Sequence, residues 1–334
     1  MRKYISICIF CIPIYLMGQD IHFSQYYFSP VNLNPANSGN FEGDYRFNGN
    51  QRTQWRSVTA PYSTFSIAAD ANKFLKKKKY GISLSALNDV AGDSKLTTLQ
   101  IEVGGSYKII LNKDSSQKIM LGIQTGITQK KINYNNLNFD NQYDGFIFDP
   151  QLNINESFAT NKKIYPNANV GAIYSIQLGT RKKIEAGISA HHLNRPKQSF
   201  FNDNKVRLDI RKTFFATGQF FVNEKWDLLP TMQIMDQGPH TEIVFGSMAK
   251  YILNDKAPFN RAIYGGYFGR LKDAGYILCA IDYDAWKVGV SYDINFSKLE
   301  NASRNKGGLE ISVIYILQSL KNKIAMHKFC PDFI

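Results

Sequence analysis

Apolar and polar residues alternate without interruption from Trp286 to Ser297. A period of two over this length predicts a β-strand with one apolar and one polar face. Strands of soluble proteins usually run to about 5–6 residues, whereas a strand that crosses a bilayer needs about 9–11. The alternation resumes from Leu309 to Leu317 after Gly307 and Gly308, which read as a turn. The two segments therefore predict a hairpin that spans a membrane.

Similar alternating segments recur along most of the chain. We predict further strands at roughly 44–56, 63–70, 80–87, 98–111, 118–130, 168–178, 183–192, 213–223, 227–235, 241–253, 261–270 and 275–284. The segment 275–284 alternates poorly. The total is about fourteen, and an even number is typical of bacterial single-chain barrels. The sequence thus predicts an all-β fold, an antiparallel transmembrane β-barrel.

The connections between these segments support the same fold. Those that follow odd-numbered strands include the longest ones, above all residues 131–167, whereas those that follow even-numbered strands are short. Outer-membrane barrels have short periplasmic turns and long external loops. A soluble β-sandwich, for example a secreted carbohydrate-binding protein, has no reason to sort its loop lengths in this way.

The N-terminus has the pattern of a secretory signal. Arg2 and Lys3 precede an apolar run, and Gly18 is a small residue before a cleavage point. An uncleaved membrane anchor is the alternative, but the apolar run is short. We therefore predict a signal peptide at 1–18, an N-terminal segment at 19–43, a barrel at 44–317 and a periplasmic tail at 318–334. The segment 19–43 would lie outside the barrel wall or fold into its mouth.

Composition narrows the function further. The net charge is +13, but basic residues concentrate in turns, as at 76–79, and export makes a nucleic-acid partner improbable. Cys and His residues have no zinc-like spacing, and His191 and His192 would point to opposite faces of a strand. Asp282, Asp284 and Asp293 show no sign of a substrate cleft between paired carboxylates. We expect neither an enzyme nor a metal or cofactor site.

Two sets of residues stand out as candidate functional sites. Charged residues on polar strand faces should pair inside a lumen, because an unpaired charge away from water is costly. The lumen candidates are Asp70, Glu102, Arg270, Asp293 and Glu310, with Arg46, Arg52, Lys108, Lys287 and Glu185 as further partners. A dense network would plug the barrel and a sparse one would leave a pore; both stay open. The partner-binding candidates are aromatic residues of the loop 131–167, namely Tyr134, Phe139, Tyr143, Phe146 and Phe148. This loop could equally fold over the barrel mouth.

Several motifs, in order along the chain, resemble one known family. They are Asn34-Pro35-Ala36 with Gly39, the run YRFNGNQRTQW ending at Trp55, Pro61-Tyr62-x-Thr64, Asn88-Asp89-x-x-Gly92, HHLNRP ending at Pro196, Arg270-x-x-Asp273-Ala274, and Cys330-Pro331-x-Phe333. Together they resemble the PorP/SprF family, outer-membrane proteins of the type IX secretion system of Bacteroidota. Asn37-Ser38 within the first motif is a small departure.

The resemblance implies a non-enzymatic barrel in the cell outer membrane. Such a protein would assist export, or anchor a large surface protein such as a gliding-motility adhesin, with outer-membrane lipid and other secretion components as partners. Composition and spacing alone indicate only an exported, membrane-spanning β protein. The alternative function is a channel or transporter for small apolar solutes, which would use the same fold.

Overall fold

The chain closes into a single antiparallel barrel. The computed structural model describes residues 20–56, 60–74, 79–143, 145–152, 159–201, 203–254, 260–296 and 306–318. Within these ranges it forms fourteen strands, β1 to β14: Tyr45–Gln54, Tyr62–Ala71, Tyr80–Ala91, Leu96–Ile110, Gln117–Lys131, Lys162–Gly179, Lys182–His191, Arg211–Phe221, Trp226–Gln237, His240–Asn254, Arg261–Arg270, Ala274–Tyr283, Trp286–Asn295 and Lys306–Leu317. Each strand pairs with its sequence neighbours and β1 pairs with β14. The fold class predicted from the sequence is confirmed. The predicted signal peptide at 1–18 and the tail from 319 onward lie outside the described residues.

Two strands, β6 and β14, begin three or more residues earlier than the alternation predicts. β6 begins at Lys162 rather than near 168, so the long connection is 132–161. Near the start of β6, Pro166 faces outward. Proline is a weak strand signal, yet Pro166 pairs with Ile127 of β5. Gly307 and Gly308 lie in β14 and do not form a turn. A Cβ at Gly307 would overlap the backbone of Asp293, so glycine permits the close approach of β13 and β14 there.

The poorly patterned segment at 275–284 is the strand β12. Its inward residues Tyr276, Leu278 and Ala280 are buried and apolar, and its outward residues Ile277 and Ile281 are exposed and apolar. Alternation fails in the sequence because this strand meets an apolar surface inside the barrel as well as lipid outside.

Elsewhere the two faces differ sharply, and aromatic residues gather on the outward face near both ends. At the end where β1 begins, exposed tryptophans contact half-buried tyrosines across strands, as in Trp226–Tyr251 at 4.8 Å and Trp286–Tyr315 at 4.5 Å. Aromatic residues exposed near the other end are Tyr62, Phe65, Tyr267, Tyr292 and Phe296. Such girdles mark the two interfaces of a bilayer. No helix among the described residues is both long and apolar enough to cross a membrane.

The connections distinguish the two ends of the barrel. The long connections 132–161, 192–210 and 296–305 all leave the ends of odd-numbered strands, although β9 and β10 are joined by the short turn 238–239. After even-numbered strands the longest connection is 72–79, and the turns 180–181 and 284–285 have only two residues. Since outer-membrane barrels have long external loops and short periplasmic turns, we call these the outer end and the periplasmic end.

The alternation on β13 makes a testable prediction about the two faces. Val290 faces outward and is 42% exposed, so Val290→Lys should cost about 2–4 kcal/mol of unfolding free energy if it lies near the bilayer midplane. The alternation alone would make Ser291→Lys a mild change, but Ser291 is 1% exposed and its Oγ accepts a hydrogen bond from Gln25. A better inward-facing comparison is Gln219→Lys. Gln219 donates to the Asp227 carboxylate at 2.9 Å, so a lysine at this position would have a carboxylate within reach. Equal losses for Val290→Lys and Gln219→Lys in urea unfolding would contradict the assigned faces.

Candidate functional site

Residues 20–43 lie inside the barrel and run from its outer end to its periplasmic end. Asp20 contacts His192 and Arg211, at the outer ends of β7 and β8. Near the other end of the segment, the backbone N–H of Gly39 donates to Asp70 on β2 at 2.7 Å. The segment includes one short helix, α1 (Pro30–Leu33), flanked by two single 3-10 turns. We call residues 20–43 the plug.

The central part of the plug is fixed by its Asn-Pro-Ala motif. Asn34 donates from Nδ2 to the backbone oxygens of Ile188 at 2.8 Å and Ala172 at 3.3 Å, on β7 and β6. Its Oδ1 accepts the backbone N–H of Ala36 at 2.9 Å, which holds the turn at Pro35. One side chain thus joins the plug to two strands and also shapes the plug itself.

Glycines on the inner wall make room for this motif. A Cβ at Gly122 would overlap Ala36 N, one at Gly171 would overlap Asn34 Oδ1, and one at Gly81 would overlap Ser38 O. Gly122 and Gly171 lie directly opposite each other on β5 and β6, and Gly81 lies on β3. We call Gly81, Gly122 and Gly171 the glycine wall. The plug backbone therefore lies directly against the strand backbones on this side.

The plug also completes a buried charge network near the outer end of the lumen. Arg52 on β1 contacts Asp293 at 2.9 Å and Glu310 at 3.7 Å, and all three side chains are nearly inaccessible to solvent. The backbone N–H groups of Ser24 and Gln25 donate to the two Glu310 oxygens at 2.8 and 2.9 Å. A buried carboxylate is tolerated only when such partners replace water, so these plug residues satisfy a charge that the wall alone leaves incomplete.

Arg270 extends this network to a fourth strand, β11. It lies 3.4 Å from Glu242 and 3.7 Å from Asp293, and it donates to Ser24 Oγ at 2.9 Å. His22 of the plug contacts Glu242 at 3.1 Å. The network therefore ties the plug to β1, β10, β11, β13 and β14.

A second ion pair lies near the periplasmic end. Arg46 on β1 binds Asp70 through two nitrogens at 2.9 and 2.8 Å, and it also donates to the plug oxygen of Asn37 at 3.0 Å. This two-point geometry fixes the arginine more firmly than a single contact would.

The remaining lumen candidates have different surroundings. Glu102 is buried and accepts a hydrogen bond from Asn169 at 2.9 Å, an amide rather than a cation. Lys287 contacts Asp282 at 3.3 Å, Lys183 contacts Glu185 at 3.0 Å, and Lys108 donates to Asn72 at 3.4 Å.

Sequence reasoning missed the contacts at the outer tip of the plug. The Asp20 carboxylate meets His192 Nε2 at 2.7 Å and Arg211 Nη1 at 3.0 Å. Burial alone would raise the pKa of Asp20, but the charges of His192 and Arg211 outweigh it and hold that pKa well below its usual range. His192 directly follows β7 and is the second residue of the HHLNRP motif, which is the one sequence signal near this contact. Among the residues that the structure describes, no group of three or more His, Cys, Asp or Glu side chains could hold a metal ion.

The loop 132–161 carries the predicted aromatic residues at the outer end. Phe146 is 97% exposed and Tyr143 is 52% exposed, and the Tyr143 ring packs on Phe148 at 5.3 Å. Tyr134 donates to the backbone oxygen of Thr160 at 3.2 Å, and Phe139 is half-buried. The loop thus has an exposed aromatic tip, formed by Tyr143 and Phe146 with Phe148 packed on Tyr143, and a base held by a contact within the loop.

Comparisons with known proteins agree with this architecture. A family model described as the type IX secretion system membrane protein PorP/SprF matches residues 16–315. No curated protein sequence matches the chain.

Several solved structures are similar to this chain. The Ralstonia pickettii toluene transporter TbuX is 10% identical, with 85% of this chain and 92% of that chain covered and a TM-score of 0.50. The Pseudomonas putida toluene transporter TodX is 9% identical, with coverages of 88% and 93% and a TM-score of 0.49. The CymD monoaromatic hydrocarbon channel is 10% identical, with coverages of 86% and 92% and a TM-score of 0.49. At such low identity the likeness concerns the fold alone.

Proposed function

Because the chain belongs to the PorP/SprF family of type IX secretion system membrane proteins, we propose that it assists export or surface anchoring of a large protein. Its barrel fold and its family place it in the outer membrane. The cargo would be an adhesin or another large exported protein, held at the outer end while other secretion components engage the same barrel. No catalysis is involved.

The observation that carries this proposal is the filled lumen. The plug contacts most of the wall, through the glycine wall on one side and through Arg52, Asp293 and Glu310 on the other. A barrel filled in this way can act through its outer surface without transporting a solute. The exposed aromatic tip of the loop 132–161 is the contact that we propose for the large protein, since exposed aromatic residues are enriched at protein interfaces.

A pull-down with matched variants tests this proposal. The tagged barrel is recovered from outer membranes in mild detergent, and associated proteins are identified by mass spectrometry. We expect a large exported protein to be recovered with secretion components, and we expect the double change Tyr143→Ser and Phe146→Ser to reduce its recovery severalfold. Truncating an aromatic anchor at an interface commonly costs at least about 2 kcal/mol of binding free energy.

The matched control is Phe201→Ser in the neighbouring connection 192–210, where Phe201 is also well exposed. It should leave recovery unchanged. If the barrel is recovered alone, even after cross-linking, the surface-anchoring function is wrong. The alternative, a channel for small apolar solutes, would then require the plug to move, and liposome swelling would measure that permeability.

A further inference from the structure

The ladder of hydrogen bonds between β8 and β9 is interrupted near the periplasmic end. On β8 the pairing stops after Thr217 and resumes at Phe220, with the same register on both sides. The interruption is therefore not a bulge. Pro230 on β9 explains it, because proline has no N–H to donate to the ladder. We call this interruption the β8–β9 seam. Gly218, Gln219, Leu229 and Pro230 have no partner across it, although each pairs with the strand on its other side, β7 or β10.

The seam lies within the bilayer. Pro230 is four residues along β9 from Trp226, a member of the periplasmic aromatic girdle, which is about 13 Å along a strand. Backbone groups exposed to lipid without partners cost several kcal/mol, so a broken ladder at this depth is tolerated only where it lies against protein or lines a cavity that offers hydrogen-bond partners. The position of the seam thus calls for a cavity behind it.

Such a cavity lies directly inside the seam. Its volume is about 310 Å³, and Gly218 and Pro230 themselves line it. Its other walls are mixed. The side chains of Phe28, Leu229, Met248 and Ile314 are apolar, whereas those of Thr217, Gln219, Thr231 and Tyr264 are polar. For comparison, an apolar cavity of ~150 Å³ takes one benzene molecule. The space is therefore large enough for a flexible hydrocarbon chain.

The charges around the cavity favour a ligand whose tail is uncharged and whose headgroup stays outside. Lys183 and Lys287 line the cavity, but they contact Glu185 at 3.0 Å and Asp282 at 3.3 Å, which balances their charge. On the membrane side, Lys225 is exposed in the turn directly below the seam and precedes Trp226. A lysine beside an interfacial aromatic ring suits an anionic phosphate headgroup.

We propose that this cavity takes one acyl chain of an anionic phospholipid from the periplasmic leaflet, which enters sideways through the β8–β9 seam. The headgroup stays at Lys225 and Trp226. The ring of Phe220 covers Gly218 on the lipid side, where a Cβ on Gly218 would lie 2.5 Å from it. Rotation of this ring opens the path. The site is independent of cargo binding at the outer end.

Photo-crosslinking tests this site in the whole protein. The barrel is reconstituted in phosphatidylethanolamine vesicles that contain phosphatidylglycerol with a diazirine at the end of one acyl chain. After illumination, the labelled residues are mapped by mass spectrometry. We expect labelling of the inward-facing Met248 and Leu229 in addition to outward-facing residues. Labelling confined to outward-facing residues would overturn the proposal.

Two variants and one matched control identify the route. Pro230→Val restores an N–H to the ladder and should reduce inward labelling about tenfold, the change expected from one regained backbone hydrogen bond. Ile234→Val adds a valine on the same outward row of β9 without changing the ladder, and it should leave labelling unchanged. Thr217→Trp should fill the cavity and abolish inward labelling. This variant tests the site independently of Pro230→Val, should the latter fold poorly. Undiminished inward labelling in folded Pro230→Val protein would exclude the seam as the route.

The headgroup site has its own test. Lys225→Gln should reduce inward labelling by the phosphatidylglycerol probe severalfold, while labelling by the same probe with a choline headgroup should not change. An equal effect on both probes would exclude a role for Lys225 in recognising the anionic headgroup.

Discussion

Arg52→Met is expected to lower the free energy of unfolding of the barrel by about 3–5 kcal/mol, the usual cost of removing one partner from a buried ion pair. Arg52 lies between Asp293 and Glu310, and its side chain is 1% exposed. Without Arg52, Glu310 loses the cation that it contacts, and Asp293 keeps only Arg270 at 3.7 Å. Urea unfolding of the reconstituted protein, followed by tryptophan fluorescence, measures the loss.

The control for this prediction is an ion pair near the barrel rim. Lys73 contacts Asp44 at 2.7 Å, but its side chain is 35% exposed. Lys73→Met should cost no more than about 1 kcal/mol, because solvent screens such pairs. A similar loss in the two variants would mean that the Arg52 network contributes no more than a surface contact does.

Gly122→Val is expected to expel the central part of the plug and convert the closed barrel into a conducting one. The new side chain would occupy the position of Pro35 and Ala36, and the backbone there has no flexible end that can move aside. Overpacking typically costs about 1–3 kcal/mol even where side chains can adjust. Ion conductance across planar bilayers should rise, and a protease should cut within residues 20–43.

Gly49→Val is the matched control for the glycine wall. Gly49 also lies within a strand, but a Cβ there meets no atom within 4 Å. This variant should stay closed and resistant to protease. If Gly122→Val behaves in the same way, the Asn-Pro-Ala motif is not what holds the plug in place.

Much of the barrel could be predicted because lipid and lumen impose opposite demands on alternate residues. In β13 the outward Val290 and the inward Ser291 differ in both polarity and exposure, so the sequence pattern reports the fold directly. The pattern fails at β12, where Tyr276 and Leu278 belong to a buried apolar cluster that includes Phe28 of the plug. It is also weak at the start of β6, where Pro166 occupies an outward position.

The plug contacts could not be predicted, because they depend on which wall residue each plug residue meets. Asp70, Asp293 and Glu310 are recognisable as inward-facing charges from alternation alone. Nothing in the sequence connects Glu310 to the backbone of Ser24 and Gln25, more than 280 residues away. One available signal went unused: Gly122 and Gly171 occupy inward positions where other strands carry polar side chains, which indicates a close backbone approach.

The position of the Arg52 network indicates the order in which the barrel closes and the plug enters it. Arg52 and Glu310 are direct neighbours across β1 and β14, the two strands whose union closes the cylinder. That union joins the most distant parts of the sequence, so it has the largest loop-closure cost and should come late. A cylinder that closed while still empty would deprive Glu310 of two of its hydrogen-bond donors. Pairing of β1 with β14 is therefore favourable chiefly when the plug already lies inside the barrel. Closure before that point is disfavoured by the same charged residues that stabilise the folded protein.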